Sequence, residues 1–323
     1  MPEINLQSQD GIKSVGATMR NIMENPKLQE TFAKVKAEIL ADKEIKAFVQ
    51  ENQPELTSAI FERDLATVYE YYLQQKKAVQ GENDVHPGYI PELLFVDHQI
   101  VVQYRATEDT LNLHNKLRVA SRVQSIGMPK QLKGATMDDF AHADLGMTSA
   151  VIAVAQFIEE YVAEPNEFHQ GLYLQGPYGV GKTYLMGAMA NQLAVDEIEV
   201  MLIHYPTLAA NMKEAINDPS KNMDDVRADM KTVAILVLDD IGAETDGSGW
   251  IRDDVLGVIL DYRMQNGLTT FFTSNFSMKQ LEEEHFAMSN RGAEPVKAAR
   301  LLQRIMYLAR EIPVSGVNRR LES

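Results

Sequence analysis

Gly176-Pro177-Tyr178-Gly179-Val180-Gly181-Lys182-Thr183 sets the class of this chain. The spacing is G-x-x-x-x-G-K-T, the pattern of a loop that wraps phosphate groups. Its flanks support the match. Leu172-Tyr173-Leu174 ahead of it reads as a short buried strand, and Leu185, Met186, Met189 and Leu193 behind it recur at helical spacing. Strand, glycine-rich loop and helix in that order aim backbone N–H groups and a helix N-terminus at one point. The expected ligands are ATP and Mg²⁺. Lys182 is expected to reach the β and γ phosphates, and the Thr183 hydroxyl to face the metal.

Downstream, Val233-Ala234-Ile235-Leu236-Val237-Leu238 is a run of apolar residues that predicts a strand buried on both faces. Asp239 and Asp240 follow at its C-terminal end. Asp239 is expected to orient Mg²⁺ and Asp240 to polarise the attacking water, with Glu244 as a competitor for that second role. Thr269-Thr270-Phe271-Phe272-Thr273 predicts a further strand, which ends in Ser274-Asn275. A polar side chain at that tip can hydrogen-bond both the water and the γ-phosphate region, so Asn275 is the expected phosphate sensor. Strand alternates with helix from about residue 136 onward, the mark of a layered α/β domain. Thr148 and Ser149 are expected to cap a helix reaching about residue 161. Other helices are expected near 250–264 and 295–310, and a last short strand near 312–314. The C-terminal end is locally basic, with Arg291, Lys297, Arg300, Arg304, Arg310, Arg319 and Arg320. Arg300 and Arg304 share a helix face, and either suits an arginine finger reaching a neighbouring subunit's nucleotide.

The N-terminal third has a different texture. Apolar residues at helical spacing predict helices over 15–25, over 27–50 in one or two pieces, and over 55–75. Punctuation by Gly81, Pro87, Gly88 and Pro91 precedes a strand at 100–104. His86 and His98 lack partners at a recognisable metal-ligand spacing, so no zinc site is expected. Residues 106–137 read as a linker with a lead-in helix over 115–126. The expected division is a mainly helical domain over 1–105, this linker, and an ATPase domain over 138–323.

Composition bounds the rest. The chain has 323 residues, 45% hydrophobic, no cysteine and a formal net charge of -15. Disulfides and thiolate metal sites are excluded. No run is expected to span a membrane, and the start lacks the basic and apolar segments of a secretion signal, so a cytoplasmic location is expected. A chain this acidic does not coat nucleic acid by bulk electrostatics. Contact with it requires a local basic patch or an assembly.

Taken together, these stretches resemble the bacterial replicative helicase loaders of the DnaI/DnaC type, in the AAA+ class. The resemblance runs over roughly 117–320. It rests on Met128-Pro129-Lys130, the phosphate loop, Leu238-Asp239-Asp240-Ile241-Gly242-Ala243-Glu244, Thr273-Ser274-Asn275-Phe276, Arg304-Ile305 and Gly316-x-Asn318-Arg319-Arg320. It implies an AAA+ fold with a central parallel sheet, Lys182 and Thr183 as nucleotide ligands, Asp239 as the Mg²⁺ carboxylate and Asp240 as the water-activating acid. It also implies Asn275 as first sensor, Arg304 as arginine finger and Arg319 as second sensor, with Arg300 and Arg320 competing for the last two roles. The implied partners are a DnaB-family hexameric helicase, single-stranded DNA, other primosome proteins and further copies of the chain. Gly88-Tyr89-Ile90-Pro91 and the strand near Tyr104 extend the likeness into the N-terminal third. Members of the family commonly hold zinc there through Cys and His, and this chain has no Cys.

Two other readings stand beside the loader. One is a transposition-type AAA+ regulator sharing the same ATPase domain. The other is an interaction protein that binds nucleotide and hydrolyses it little, since Asp240 stands where a longer Glu is commoner.

Overall fold

The computed structural model of the chain describes residues 26–80, 86–142, 144–217, 223–244, 249–289 and 292–318. The helix expected over 15–25 lies outside them. The chain divides into two compact units, Met1–His114 and Asn115–Ser323.

The first unit contains α1 (Pro26–Ala41), α2 (Lys43–Glu51), α3 (Ser58–Arg63), α4 (Leu65–Gln80) and a hairpin of β1 (Tyr89–Val96) and β2 (Gln99–Ala106). Local caps set the helix boundaries. The Asp42 carboxylate accepts from the amides of Glu44 and Ile45 to start α2, and the Thr57 hydroxyl accepts from Ile60 N to start α3. The single helix expected over 55–75 is therefore two, broken at Asp64. That break has a use: the Asp64 carboxylate accepts from Arg63 and from the amide of Ile100, while Arg63 Nη2 donates to His98 O at 2.6 Å. The helix junction thus grips the hairpin turn, where Asp97 and His98 both have positive φ. Strand β1 was not expected, because Pro91 reads as punctuation; it pairs with Tyr104 inside the two-stranded ladder. Ile39, Ile45, Phe61, Val68, Leu93 and Ile100 close the core. His86 packs on the Tyr104 ring, centroids 4.1 Å apart. Among the described residues no three His, Asp or Glu side chains are grouped to hold a metal ion.

Helix α5 (Glu108–Ser121) runs across the boundary between the units, and β3 (Val123–Ile126) follows. A helix through 126 was expected. Val123 and Ile126 instead pair in parallel with the sheet of the second unit.

That unit continues with α6 (Leu145–Ala163), β4 (Gly171–Gln175), α7 (Lys182–Val195), β5 (Val200–His204), α8 (Tyr205–Asn217), α9 (Asp224–Thr232) and β6 (Ile235–Asp239). A π-helical turn, Ile251–Leu256, leads into α10 (Gly257–Gln265), then β7 (Thr269–Ser274). A small hairpin of β8 (Met288–Ser289) and β9 (Gly292–Ala293) precedes α11 (Pro295–Leu308) and β10 (Ala309–Pro313). The last strand thus begins earlier than expected and shortens the helix before it. The six-stranded sheet has the order β10-β4-β7-β6-β5-β3, and every pairing is parallel. Strands β4, β6 and β7 are almost wholly buried, so helices cover both faces, and two apolar clusters fill the two layers.

Helix α6 starts one residue after Asp144, and Thr148 is inside it, its hydroxyl turned back to Asp144 O at 3.1 Å; Asp144, not Thr148 or Ser149, is the N-cap residue. At 19 residues this helix is long and apolar enough to cross a membrane, contrary to expectation. Its apolar face is instead spent on the core, where Met147, Ala150, Val154, Phe157 and Tyr161 are buried. The segment after β3 is tied down by Asn191, whose Nδ2 donates to Leu132 O and Ala135 O at 2.8 Å each.

Candidate nucleotide-binding site

Because the strands are parallel, the C-terminal tips of β4, β7, β6 and β5 lie at one edge of the sheet. Each tip carries a residue of the site. From β4 comes the loop 176–181, tied to β7 by Gly176 N donating to Ser274 O at 3.2 Å. Gly179 and Gly181 have φ of 80° and 106°, a region that side chains with a Cβ rarely adopt. Gly181 is also the N-cap of α7, so the loop turns directly into the helix. A Cβ at Gly179 would come within 1.9 Å of Asn318 Oδ1, so the chain after β10 closes over the loop. Lys182 is buried, and its Nζ donates to Gly176 O at 2.7 Å, Pro177 O at 2.9 Å and Asn275 Oδ1 at 3.0 Å.

The acidic pair stands beside this loop. Asp239 Oδ1 accepts from the hydroxyls of Thr183 and Thr273, both at 2.7 Å. Burial pushes its carboxyl above the ordinary range, opposed by those two hydroxyls. The backbone N of Asp240 donates to Thr273 Oγ1 at 2.9 Å, and Asn275 Nδ2 donates to Asp240 Oδ1 at 2.8 Å. A continuous circuit results: Lys182, Asn275, Asp240, Thr273, Asp239 and Thr183, ending one residue from where it began. Asp240 itself has φ of 61°, the left-handed region. Its other oxygen lies 4.0 Å from His204 Nε2 at the tip of β5, while His204 Nδ1 pairs with Thr207 Oγ1 at 2.8 Å. Glu244 accepts from Gly242 N at 2.7 Å, within its own turn.

This donor set fits ATP with Mg²⁺. Loop amides and a lysine suit phosphates, and a buried carboxylate beside a threonine hydroxyl is an all-oxygen pair suited to a hard cation. Burial of Asp239 disfavours its charge, a cost that a bound cation would offset.

The structure does not bring Arg304 to this place. It lies five residues before β10, whose first residue Ala309 pairs with Gly171 at the start of β4, the edge opposite the phosphate loop. Its Nη2 pairs with Asp261 at 2.9 Å. A cleft of about 470 Å³ opens beside Arg304, lined also by Arg252, Asp253, Glu294, Lys297 and Arg300 among others. Arg252 and Lys297 are both paired with Asp253 and Glu294. Among the described residues Arg300 has no ion-pair partner, and it is exposed. Arg319 and Arg320 lie outside the described residues.

Sequence reasoning missed the parts played by Thr273 and His204. The rule that singled out Asn275, a polar residue at the tip of an apolar strand, applies equally to His204 after Val200-Met201-Leu202-Ile203. Thr273 carried a weaker signal, one hydroxyl following Phe271-Phe272.

Residues 12–104 match the family described as primosomal protein DnaI N-terminus, and residues 106–323 match the IstB-like ATP binding protein family. The replicative helicase loader DnaI of Bacillus subtilis (strain 168) is 34% identical over 96% of this chain and 99% of that protein. The replicative helicase loader DnaC of Escherichia coli (strain K12) is 24% identical, over 42% of this chain and 53% of its own. A crystal structure of DnaI has a TM-score of 0.52 at 41% identity, covering 62% of this chain and 99% of the other.

Proposed function

Since this chain belongs to the DnaI family of replicative helicase loaders, we propose that it binds the hexameric replicative helicase and, under control of ATP, delivers it onto single-stranded DNA. One observation carries this reading: the chain that matches the primosomal DnaI N-terminus also gathers Lys182, Thr183, Asp239, Asp240 and Asn275 at its strand tips, a cluster suited to nucleotide. The same N-terminal segment favours a loader over a transposition-type regulator. The helicase contact belongs to the first unit and the ATP chemistry to the second. The protein acts in the cytoplasm, alongside other primosome proteins.

In this reading the loop amides and Lys182 bind the triphosphate. The Thr183 hydroxyl and the Asp239 carboxylate would hold Mg²⁺, which when bound would neutralise phosphate charge. Asp240 accepts a proton from the attacking water, and Asn275 links that carboxylate to Lys182, so the two respond together to what occupies the loop. Arg304, remote from its own chain's loop, serves a neighbouring copy's nucleotide, and Arg319 follows as second sensor. Hydrolysis is then slow in single chains and rises on assembly. The engagement of Glu244 with its own turn supports slow intrinsic turnover.

The test of this division of labour is a pull-down of the cognate helicase by residues 1–114, shown folded by circular dichroism. Capture is the expected result. A folded fragment that captures no helicase, while the full chain does, would sink the assignment.

A further inference from the structure

We propose that Asp261 is a positioning residue for Arg304, presenting its guanidinium to the nucleotide of a second copy of this chain. The inference deepens the arginine-finger reading and rests on it.

Arg304 sits on α11 and Asp261 on α10, two helices in contact. Asp261 Oδ1 pairs with Arg304 Nη2 at 2.9 Å, and Asp261 Oδ2 accepts from Gln265 Nε2, also at 2.9 Å. Both carboxylate oxygens are therefore engaged, one by the arginine and one by a residue a helical turn further along α10. Gly257 stands one turn before Asp261 and has no side chain. Its Cβ, if present, would lie 3.4 Å from Arg304 Nη1. The guanidinium thus rests over the start of α10, between positions 257 and 261. Arg304 remains 30% exposed and Asp261 36%. A pair this open adds little to folding stability, so its main consequence is orientation. An arginine carries five N–H donors, and one contact to Asp261 leaves the rest of the fork for a ligand. The guanidinium borders the cleft it shares with Arg300 and Lys297. Preset aim matters because a transition-state contact misplaced by about 1 Å can cost on the order of 100-fold in rate.

The test uses the full-length chain with cognate helicase, single-stranded DNA and ATP, comparing wild type, Asp261→Asn, Asp261→Glu, Arg304→Ala and the Asp261→Asn/Arg304→Ala double variant. Asp261→Asn is expected to lower assembly-dependent kcat by roughly 10- to 100-fold, with KM for ATP and the melting temperature close to wild type. Asp261→Glu should recover part of the loss, and the double variant should be no slower than Arg304→Ala alone. Wild-type kcat in Asp261→Asn beside a slow Arg304→Ala overturns the positioning role and leaves the finger standing. A faster Asp261→Asn, or losses that multiply in the double variant, also overturns it. Wild-type kcat in Arg304→Ala, or turnover that never rises on assembly, overturns the finger reading and the proposal with it.

Discussion

Asp240 shows how much one residue's backbone can decide. Its φ of 61° is tolerated by Asp and Asn far better than by longer side chains, because the short polar group can bond locally. Asn275 Nδ2 and Thr273 Oγ1 hold it from both sides. Asp at this position therefore matches the conformation, and a longer acid would not restore a missing reach. Asp240→Glu is expected to lower assembly-stimulated ATP turnover and to cost roughly 1 kcal/mol of stability, whereas Asp240→Asn should keep the stability and lose turnover. Thermal melts alongside steady-state assays check both, and a faster Glu variant would show that reach, not backbone, limits the site. In the proposed mechanism Lys182 carries the binding side. Its charge-assisted contacts are each worth about 1.5–3 kcal/mol, so Lys182→Ala should weaken ATP binding on the order of 10- to 100-fold in a titration. Helicase capture by the same variant should be unchanged.

Among the elements, α10 carries a residue with no evident sequence signal. Arg263 is fully buried, and among the described residues it pairs with no carboxylate. Its guanidinium donates to Met230 O, Lys231 O and Val233 O at the end of α9, to Ala234 O, to Thr269 O and to Thr270 Oγ1 at the start of β7. Burial lowers its pKa to about 9, so it stays charged at neutral pH. One side chain thereby joins the end of α9 and the residues that lead into β6 to the start of β7. Arg263→Ala leaves those carbonyls unsatisfied and should cost roughly 3 kcal/mol or more in a denaturation experiment. Lys should rescue little, because the planar fork makes the contacts. In the first unit, the hairpin depends on Asp64. The Arg63 guanidinium and the Ile100 amide hold its carboxyl down from 3.8 to about 2. An acid depressed on folding stabilises above its unfolded pKa and loses that contribution as pH falls. The hairpin should therefore loosen between about pH 4 and pH 2. Amide hydrogen exchange at Ile100 in the intact chain checks this; Asp64→Asn should exchange faster at neutral pH and lose the acid dependence.

At the scale of the whole molecule, a net charge of -15 bears on how DNA is met. Single chains should bind a single-stranded oligonucleotide weakly, with a shallow salt dependence of about one or two released counterions, and assembly with helicase and ATP should steepen it. Fluorescence anisotropy across a salt series measures both, and tight binding by dilute chain alone would show that a local basic patch suffices. Much of this molecule is legible in its string of residues. The phosphate loop, the buried β6 run ending in two acids and the polar tip of β7 identify a nucleotide site, because each couples an apolar strand to chemistry at a fixed offset. What stays hidden are relations between distant positions: β1, disguised by Pro91; β10, begun by Ala309-Arg310-Glu311 with no apolar alternation; and the helix break at Asp64. Hidden too are the His204 approach to Asp240, the burial of Arg263 and the pairing of Arg304 with Asp261. Spacing along a chain reports which residues share a strand or a helix face. Which strand lies beside which, and so which side chains meet, follows only from packing the helices on both faces of the sheet, and that placed Asn275 between Lys182 and Asp240.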